Sequence, residues 1–411
     1  MKRGHFPLDL LPAWCALNDV KFVDVKAHDV EGRGYGLVAE KELVNENEHE
    51  NRTLLKVPRD LILSSESVEE YAKENKEFRQ LFDAAGHQPA VSAKLSVLTK
   101  EFDSIKAKTE SIPIWYEIFS IDESITVRDW VWLDALYRSR SLELPVSGES
   151  LVPCLDLANH AHQHTAYFEE NDKDEVVLLL RDGVAVSLGA EVTINYGETK
   201  SAAEMLFSYG FIDSASTRQG LSLPLRLMDD DPLLKAKLHA FGRAPTLDIS
   251  EDGNGVPRWS APFVYLMCLN EEDGLDFRIL QETDGSQQLK MFWQEKDVTD
   301  VPDTFKDLIR SHDMQQIFEL RAVTVILEMV QEQLERLDVQ DGDADVPEVV
   351  RAETLRAAIQ LRNIETALLR RTLEVLKDES ANLLQDESVL AYFKAMEAEQ
   401  SSEVADDKDF S

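Results

Sequence analysis

Three stretches of this chain hold residue types at spacings suited to chemistry. His160, His162 and His164 alternate, so on an extended segment they would project from one face and could hold a metal. A zinc hydrolase of the alternating-histidine type wants an Asp before a further His immediately downstream. Thr165 and Ala166 stand there instead, too few ligands can be named for a site, and histidines near a loop are more often hydrogen-bonded structural groups. The run Gly32-Arg33-Gly34-Tyr35-Gly36 invites comparison with a dinucleotide fingerprint, but that pattern needs a following helix, and strand-like Leu37-Val38-Ala39 follows here. Its glycines either make a tight turn or let backbone approach a ligand closely. Asp341-Gly342-Asp343-Ala344-Asp345 superficially resembles a calcium loop. Val346 replaces its glycine and Ala352 its bidentate Glu, which favours a solvated helix connection.

Four short segments follow one another in fixed order. They are Gly34-Tyr35-Gly36-Leu37-Val38-Ala39, Arg138-Ser139-Arg140-Ser141, Asp156-Leu157-Ala158-Asn159-His160, and Asn195-Tyr196-Gly197 with Ser208-Tyr209-Gly210-Phe211. In this order, with a helical insert between the first and second, they resemble the SET-domain methyltransferases, in particular the branch typified by the Rubisco large-subunit lysine methyltransferase. The resemblance covers about residues 20 to 215, and the C-terminal half is similar in texture and length to that branch's substrate-binding domain. The cysteine-rich zinc segment that follows the SET domain in many histone enzymes is missing, as in that branch.

The resemblance implies a protein-lysine N-methyltransferase with S-adenosylmethionine as donor and S-adenosylhomocysteine as product, the amine entering from the opposite face through a narrow channel. Methyl transfer needs donor and amine aligned within about 3 to 3.5 Å. A lysine with an ordinary pKa near ~10.4 must first lose its proton, which an apolar aromatic channel encourages. Carried over by motif, Arg33, Gly34 and Tyr35 would line the cofactor chiefly through backbone groups. Arg140 would bind the methionine carboxylate through its planar fork, with Asp156 nearby, and Asn159 and His160 would hold the amino and adenine ends. Tyr196 would be the catalytic tyrosine, steering the amine rather than acting as a strong base, since a phenol's pKa is about 10. Tyr209 would form a channel wall that also touches the cofactor, with Phe211 behind it, Tyr167 a third wall and Ser139 part of the same channel. In the family the Asn-His segment and the Tyr209-Gly210-Phe211 segment thread through one another. Taken alone, Tyr196 reads as a strand tyrosine in a sheet core.

Two departures matter. Leu142 stands where an aromatic often follows the arginine pair, which widens one wall, and Leu155 stands where a histidine-methylating relative has tryptophan, which favours lysine as acceptor. Two other readings remain open: a catalytically silent SET-like binding module, and a metal-dependent hydrolase on His160, His162 and His164.

The elements expected to position these residues are β-strands at Phe22-Val25, Gly36-Ala39, Thr53-Val57, Val176-Leu180, Val184-Val186 and Val192-Ile194, with a hairpin turn at Asp182-Gly183. From Ser67 to Leu136 helical spacing takes over, with Trp130, Leu133, Leu136 and Tyr137 on one face. The expected class is α+β: a SET domain over 1-215 with a helical insert about 64-137, a mainly α-helical domain over 220-398, and an acidic frayed tail over 399-411. Two long helices, about Met314 to Leu337 and about Glu348 to Lys377, are joined by a polar loop. The second would pack Ala357, Leu361, Ile364, Leu368 and Val375 inward.

With 78 Asp and Glu against 43 Lys and Arg, the 411 residues carry a net charge of −35. That opposes coating nucleic acid or docking on anionic lipid and suits a basic polypeptide partner, here a protein with an accessible lysine in a basic segment. Three scattered cysteines, Cys15, Cys154 and Cys268, fit neither a disulfide framework nor a four-ligand zinc site, which points to a reducing compartment. The N-terminus has no apolar core region after its basic residues, and the longest apolar run, Ala261 to Leu269, falls far short of the ~20 residues that span a bilayer. The expectation is a soluble, monomeric protein of the cytoplasm or nucleus.

Overall fold

A computed structural model describes residues 7–45, 52–75, 94–121, 125–198, 200–213, 220–228, 230–281, 287–300, 305–310, 312–339 and 352–406. The chain divides into two compact units, one formed by residues 1–199 and 207–215, the other by 200–206 and 216–411.

The first unit is built on strands β1 (Lys21–Phe22), β2 (Val25–Val30), β3 (Gly34–Ala39), β4 (Thr53–Val57), β5 (Leu63–Ser64), β6 (Ser141–Leu144), β7 (Gly148–Leu151), β8 (Asn159–His160), β9 (Ala166–Glu170), β10 (Val176–Leu180) and β11 (Glu191–Ile194). They form three sheets, ordered β1-β4-β10-β9, β2-β3-β11-β8 and β5-β7-β6. All pairs are antiparallel except β11 with β8, where Thr193 faces Asn159 and Ile194 faces His160. β10 is the continuous apolar run Val176-Val177-Leu178-Leu179-Leu180, buried at every position, and it packs with Leu37, Leu54, Leu55, Val57, Val192 and Ile194. A strand apolar on both faces must lie inside. Asp24, at φ +60, turns the chain between β1 and β2, so the expected strand Phe22-Val25 is split there. After β10 the expected hairpin does not form. Gly183 turns at φ +70, but Val186 exchanges hydrogen bonds with Leu43 instead of pairing back on β10.

Between β5 and β6 lie the helices Ser65–Glu74, Lys94–Lys108, Pro113–Tyr116 and Val127–Arg140. The last begins at a capping box in which Thr126 and Asp129 satisfy each other's backbone donors. Its Trp130 packs on Phe102, ring centroids 6.3 Å apart, while Leu133 and Tyr137 are exposed, so the apolar stripe expected there is only partly a core face.

The second unit holds the sheet β12 (Gly220–Pro224), β13 (Thr246–Glu251) and β14 (Pro257–Ser260), then β15 (Leu275–Gln281), β16 (Gln287–Trp293) and β17 (Lys296–Asp297), ahead of the long helices Gln315–Val339, Ala352–Leu384 and Glu387–Asp406. Helix is the larger part, and the six strands are an addition to what the sequence suggested. On Ala352–Leu384 the buried positions are Leu368, Leu369, Thr372, Leu376 and Leu383, so the inward stripe runs past Thr372 and Leu376 with Val375 beside it. The Asp341–Asp345 segment lies outside the described residues. The tail expected to fray from residue 399 carries helix as far as Asp406. Among the described residues no helix is long and apolar enough to cross a membrane.

Among the described residues of this unit a lysine is buried in the core. Lys237 is 1 % exposed, and its ammonium donates to Asp231 Oδ2 at 2.6 Å, to Leu269 O at 2.6 Å and to Met267 O at 3.2 Å. All three of its N–H donors are thereby satisfied, which a buried lysine requires.

Candidate active site

β11 and the residues after it gather the site. Its parallel pairing with β8 brings Asn159 and His160 alongside, its antiparallel pairing with β3 sets Glu191 opposite Val38, and Tyr196 follows two residues after its end. The approach to Asn159 is a 3-10 turn, Leu155–Leu157, entered through Cys154 at φ +70, a left-handed conformation that a side chain adopts only when its surroundings impose it. The Cys154 thiol lies 3.9 Å from that of Cys15; burial pushes Cys154 well above the usual thiol range and raises Cys15 as well.

The glycines divide their work. Gly32 and Gly34, at φ +73 and +74 with open space around them, make the β2–β3 turn. Gly36 is the close approach. A Cβ there would lie 2.8 Å from both Asn159 Nδ2 and Glu191 Oε1 and 2.9 Å from Val30 Cγ2. Asn159 Nδ2 donates to Glu191 Oε1 at 2.7 Å, and Glu191 Oε2 is paired with Arg33, whose other nitrogen donates to His160 O. Tyr35 is 47 % exposed, with its carbonyl 3.4 Å from Asn159 Nδ2.

Arg140 ends the helix Val127–Arg140 and donates through Nη1 to Asp156 O at 2.8 Å, with Asp156 Oδ2 at 3.5 Å. The Arg140 side chain is 43 % exposed. Burial raises the Asp156 carboxyl above the usual carboxylate range, opposed by Arg140. Arg138 points elsewhere, bonding Asp134 and the Phe207 carbonyl while covering the Phe207 ring. The Ser139 hydroxyl donates to Leu136 O of its own helix.

Around Tyr196 the rings collect. Tyr209 lies 4.6 Å away and His160 5.3 Å away, and Phe211 is 5.8 Å from His160 and 6.4 Å from Tyr209, centroid to centroid. Such tilted pairs suit aromatic quadrupoles. The Tyr196 hydroxyl donates to Ala158 O at 2.9 Å, and burial pushes its pKa up to about 12. Tyr167 stands half-buried on β9 opposite Leu179, on the strand face away from Ala166 and Phe168.

Among the described residues the three histidines form no group placed to hold a metal. His160 Nδ1 accepts from the Tyr196 N–H at 3.1 Å, which leaves the proton on Nε2, 3.1 Å from Asp213. With both ring nitrogens engaged, His160 ties β8 to the Tyr196 backbone and to Asp213. His162 Nδ1 is 4.0 Å from the same Asp213, while His164 bonds the His162 carbonyl. Glu191 and Asp213 are the two residues the sequence did not single out. The only signal for Glu191 was a charge inside the otherwise strand-like Glu191-Val192-Thr193-Ile194.

No family model matches the chain. It is 28 % identical over 315 residues to SET domain-containing protein 8 of Schizosaccharomyces pombe, covering 75 % of this chain and 68 % of that protein. It is 28 % identical over 187 residues to a fructose-bisphosphate aldolase-lysine N-methyltransferase of Arabidopsis thaliana, covering 42 % and 38 %. It is also 28 % identical over 163 residues to the Rubisco large-subunit N-methyltransferase of Nicotiana tabacum, 36 % and 33 %; the chain thus spans well under half of these two plant relatives. Among solved structures, the SET domain of the Rubisco large-subunit methyltransferase bound to lysine and S-adenosylhomocysteine superposes with a TM-score of 0.60 at 20 % identity, over 92 % of this chain and 93 % of that one. The same enzyme bound to S-adenosylmethionine gives 0.54 at 20 %, over 93 % and 94 %. The chain therefore has the SET-domain fold in the form found in the Rubisco large-subunit methyltransferases.

Proposed function

We propose that this protein is an S-adenosylmethionine-dependent protein-lysine N-methyltransferase whose catalytic tyrosine is Tyr196. The observation that carries the reading is the meeting, in one unit, of Asn159 and His160, of Arg140, and of Tyr196 with Tyr209 and Phe211, from segments far apart in sequence. The names of the relatives, which are lysine methyltransferases of aldolase and of Rubisco, support the same chemistry.

The donor fits the residues present. Gly36 lets the Asn159–Glu191 pair lie against the turn, the half-exposed Arg140 fork suits a carboxylate, and the Asn159 amide and the backbone of Arg33, Gly34 and Tyr35 offer polar groups around the same turn. When bound, S-adenosylmethionine supplies an electrophilic methyl on a sulfonium: an N–C bond forms as the C–S bond breaks, and the bonding pair stays on sulfur as the thioether. Everything else falls to the chain. Tyr209, Phe211, Tyr167 and Ser139 would line the path of the amine, where a low-dielectric aromatic wall favours its neutral, nucleophilic form. Tyr196, held by its own N–H to His160 and by its hydroxyl to Ala158, would fix the acceptor's direction without taking its proton.

Incubation with methyl-labelled S-adenosylmethionine and cell extract tests the reading. Label transferred to protein supports it, and none removes it. Arg140→Ala is expected to weaken S-adenosylhomocysteine binding about 10- to 100-fold in calorimetry, the worth of a charge-assisted fork. It would also remove the strongest opposition to the burial of Asp156 and leave only backbone hydrogen bonds against it, so that carboxyl would protonate at higher pH and the acid limb of binding would move upward.

The charge of −35 supports a substrate lysine in a basic segment. Turnover on the true substrate should fall as salt rises across about 0.05 to 0.5 M, and indifference to salt would reduce the charge to a solubility feature. A reducing compartment, cytoplasm or nucleus, suits the three free cysteines, all part-buried or buried, and we propose that the chain acts as a monomer.

A further inference from the structure

Asn159 has been given the amino end of the donor, yet an asparagine amide presents either a carbonyl or an NH2, and only the carbonyl attracts an ammonium. What decides which one is presented is the neighbour of the amide nitrogen. Here Nδ2 lies 2.7 Å from Glu191 Oε1 and 3.4 Å from Tyr35 O. Both can only accept, so the NH2 must face them and Oδ1 must face away. Glu191 is itself held. Its side chain is 15 % exposed, and its other oxygen is paired with Arg33, which reaches on to the His160 carbonyl. The bridge runs from the β2–β3 turn to β8 across Gly36, and it fits there because a Cβ at that position would lie 2.8 Å from both hydrogen-bonded atoms.

We infer that Glu191 is a positioning residue for the donor: by bridging Arg33 and Asn159 it fixes the Asn159 amide with its carbonyl presented to the α-ammonium of S-adenosylmethionine. The inference rests on the methyltransferase reading above. It has a second consequence. Without Glu191 the unneutralised Arg33 guanidinium competes for the Asn159 carbonyl and draws it from the ligand, so the loss should exceed that of one missing contact.

The test is binding, not turnover, with two ligands that share an adenosine thioether but differ at the amino-acid end: S-adenosylhomocysteine, which has the ammonium, and 5′-methylthioadenosine, which lacks it. Glu191→Ala is expected to weaken the first about 10-fold or more by calorimetry, and to leave the second within about twofold. Glu191→Gln should fall between, since its carbonyl can still accept from Asn159 but cannot neutralise Arg33. Gly36→Ala, which pushes the same two side chains apart without touching Glu191's chemistry, should reproduce the selective loss. Equal weakening of both ligands by Glu191→Ala would mean that the residue only supports the fold, and no weakening of either would mean that it does not act on the site. Each result overturns the inference while leaving the methyltransferase reading intact. A native protein that bound neither ligand would overturn the inference and that reading together.

Discussion

Replacing Tyr196 by phenylalanine is expected to lower methyl transfer by about 10²- to 10³-fold, the usual cost of removing one preorganised polar group from a reacting centre, while S-adenosylhomocysteine still binds within about threefold. The ring would remain, 4.6 Å from Tyr209 and 5.3 Å from His160, so the packing that shapes the pocket is kept. What disappears is an oxygen whose single proton is committed to Ala158 O at 2.9 Å. A hydroxyl so engaged offers lone pairs rather than a proton, which suits the proposed role of aiming the acceptor. With its pKa pushed up to about 12 by burial, it stays neutral throughout the working range. The pH dependence follows: transfer should rise with pH as the acceptor amine loses its proton, and no tyrosine ionisation should appear below about pH 10. Steady-state rates across pH 7 to 10 for both proteins check this. A Tyr196→Phe protein with undiminished transfer would move the chemistry elsewhere.

The largest expected effect on stability lies in the other unit. Lys237→Met removes an ammonium that satisfies Asp231 Oδ2, Leu269 O and Met267 O, all within the core around the short helix Pro262–Met267. Methionine nearly matches the volume, so little cavity forms. The cost is electrostatic: an uncompensated carboxylate, with side chain 10 % exposed, and two carbonyls without donors. Breaking a buried pair from one side typically costs about 3–5 kcal/mol, which would be read as a lowered urea midpoint. The double change Lys237→Met with Asp231→Asn should recover part of that loss, since the amide oxygen can still accept from the Leu233 N–H, as Asp231 Oδ1 does at 2.8 Å. If the single variant unfolded at the native midpoint, the buried pair would carry no net stability.

Much of the first unit was readable because its signals are local. Val176–Leu180 is apolar throughout, Val192-Thr193-Ile194 precedes Asn195-Tyr196-Gly197, and glycines mark the β2–β3 turn. The segments carrying Arg140, Asn159, His160, Tyr196 and Tyr209 stood out only as an ordered set that resembles a family, since each is weak alone. Glu191 was not, because its meaning lies in partners 158 residues away at Arg33 and 32 away at Asn159, and an acidic residue at the start of a strand reads as surface. Asp213 likewise acquires its role only through His160, 53 residues earlier. The strands of the second unit escaped notice for a different reason. The β16–β17 hairpin turns through Gln294 and Glu295, both at positive φ, and so lacks the Asn-Gly or Asp-Gly that announces such turns. The Asp182-Gly183 pair shows the converse: it has the right turn residues, yet no strand follows and Val186 makes an isolated bridge to Leu43.

The central claim is that this chain moves a methyl group to the side-chain nitrogen of a protein lysine, and amino-acid analysis tests it most directly. The native protein would be incubated with methyl-labelled S-adenosylmethionine and an extract from cells lacking it, and the labelled protein hydrolysed completely. Label is expected in N-methylated lysine, and its loss when Tyr196→Phe replaces the native chain. Label absent, or recovered in another amino acid while lysine stays unmodified, would contradict it.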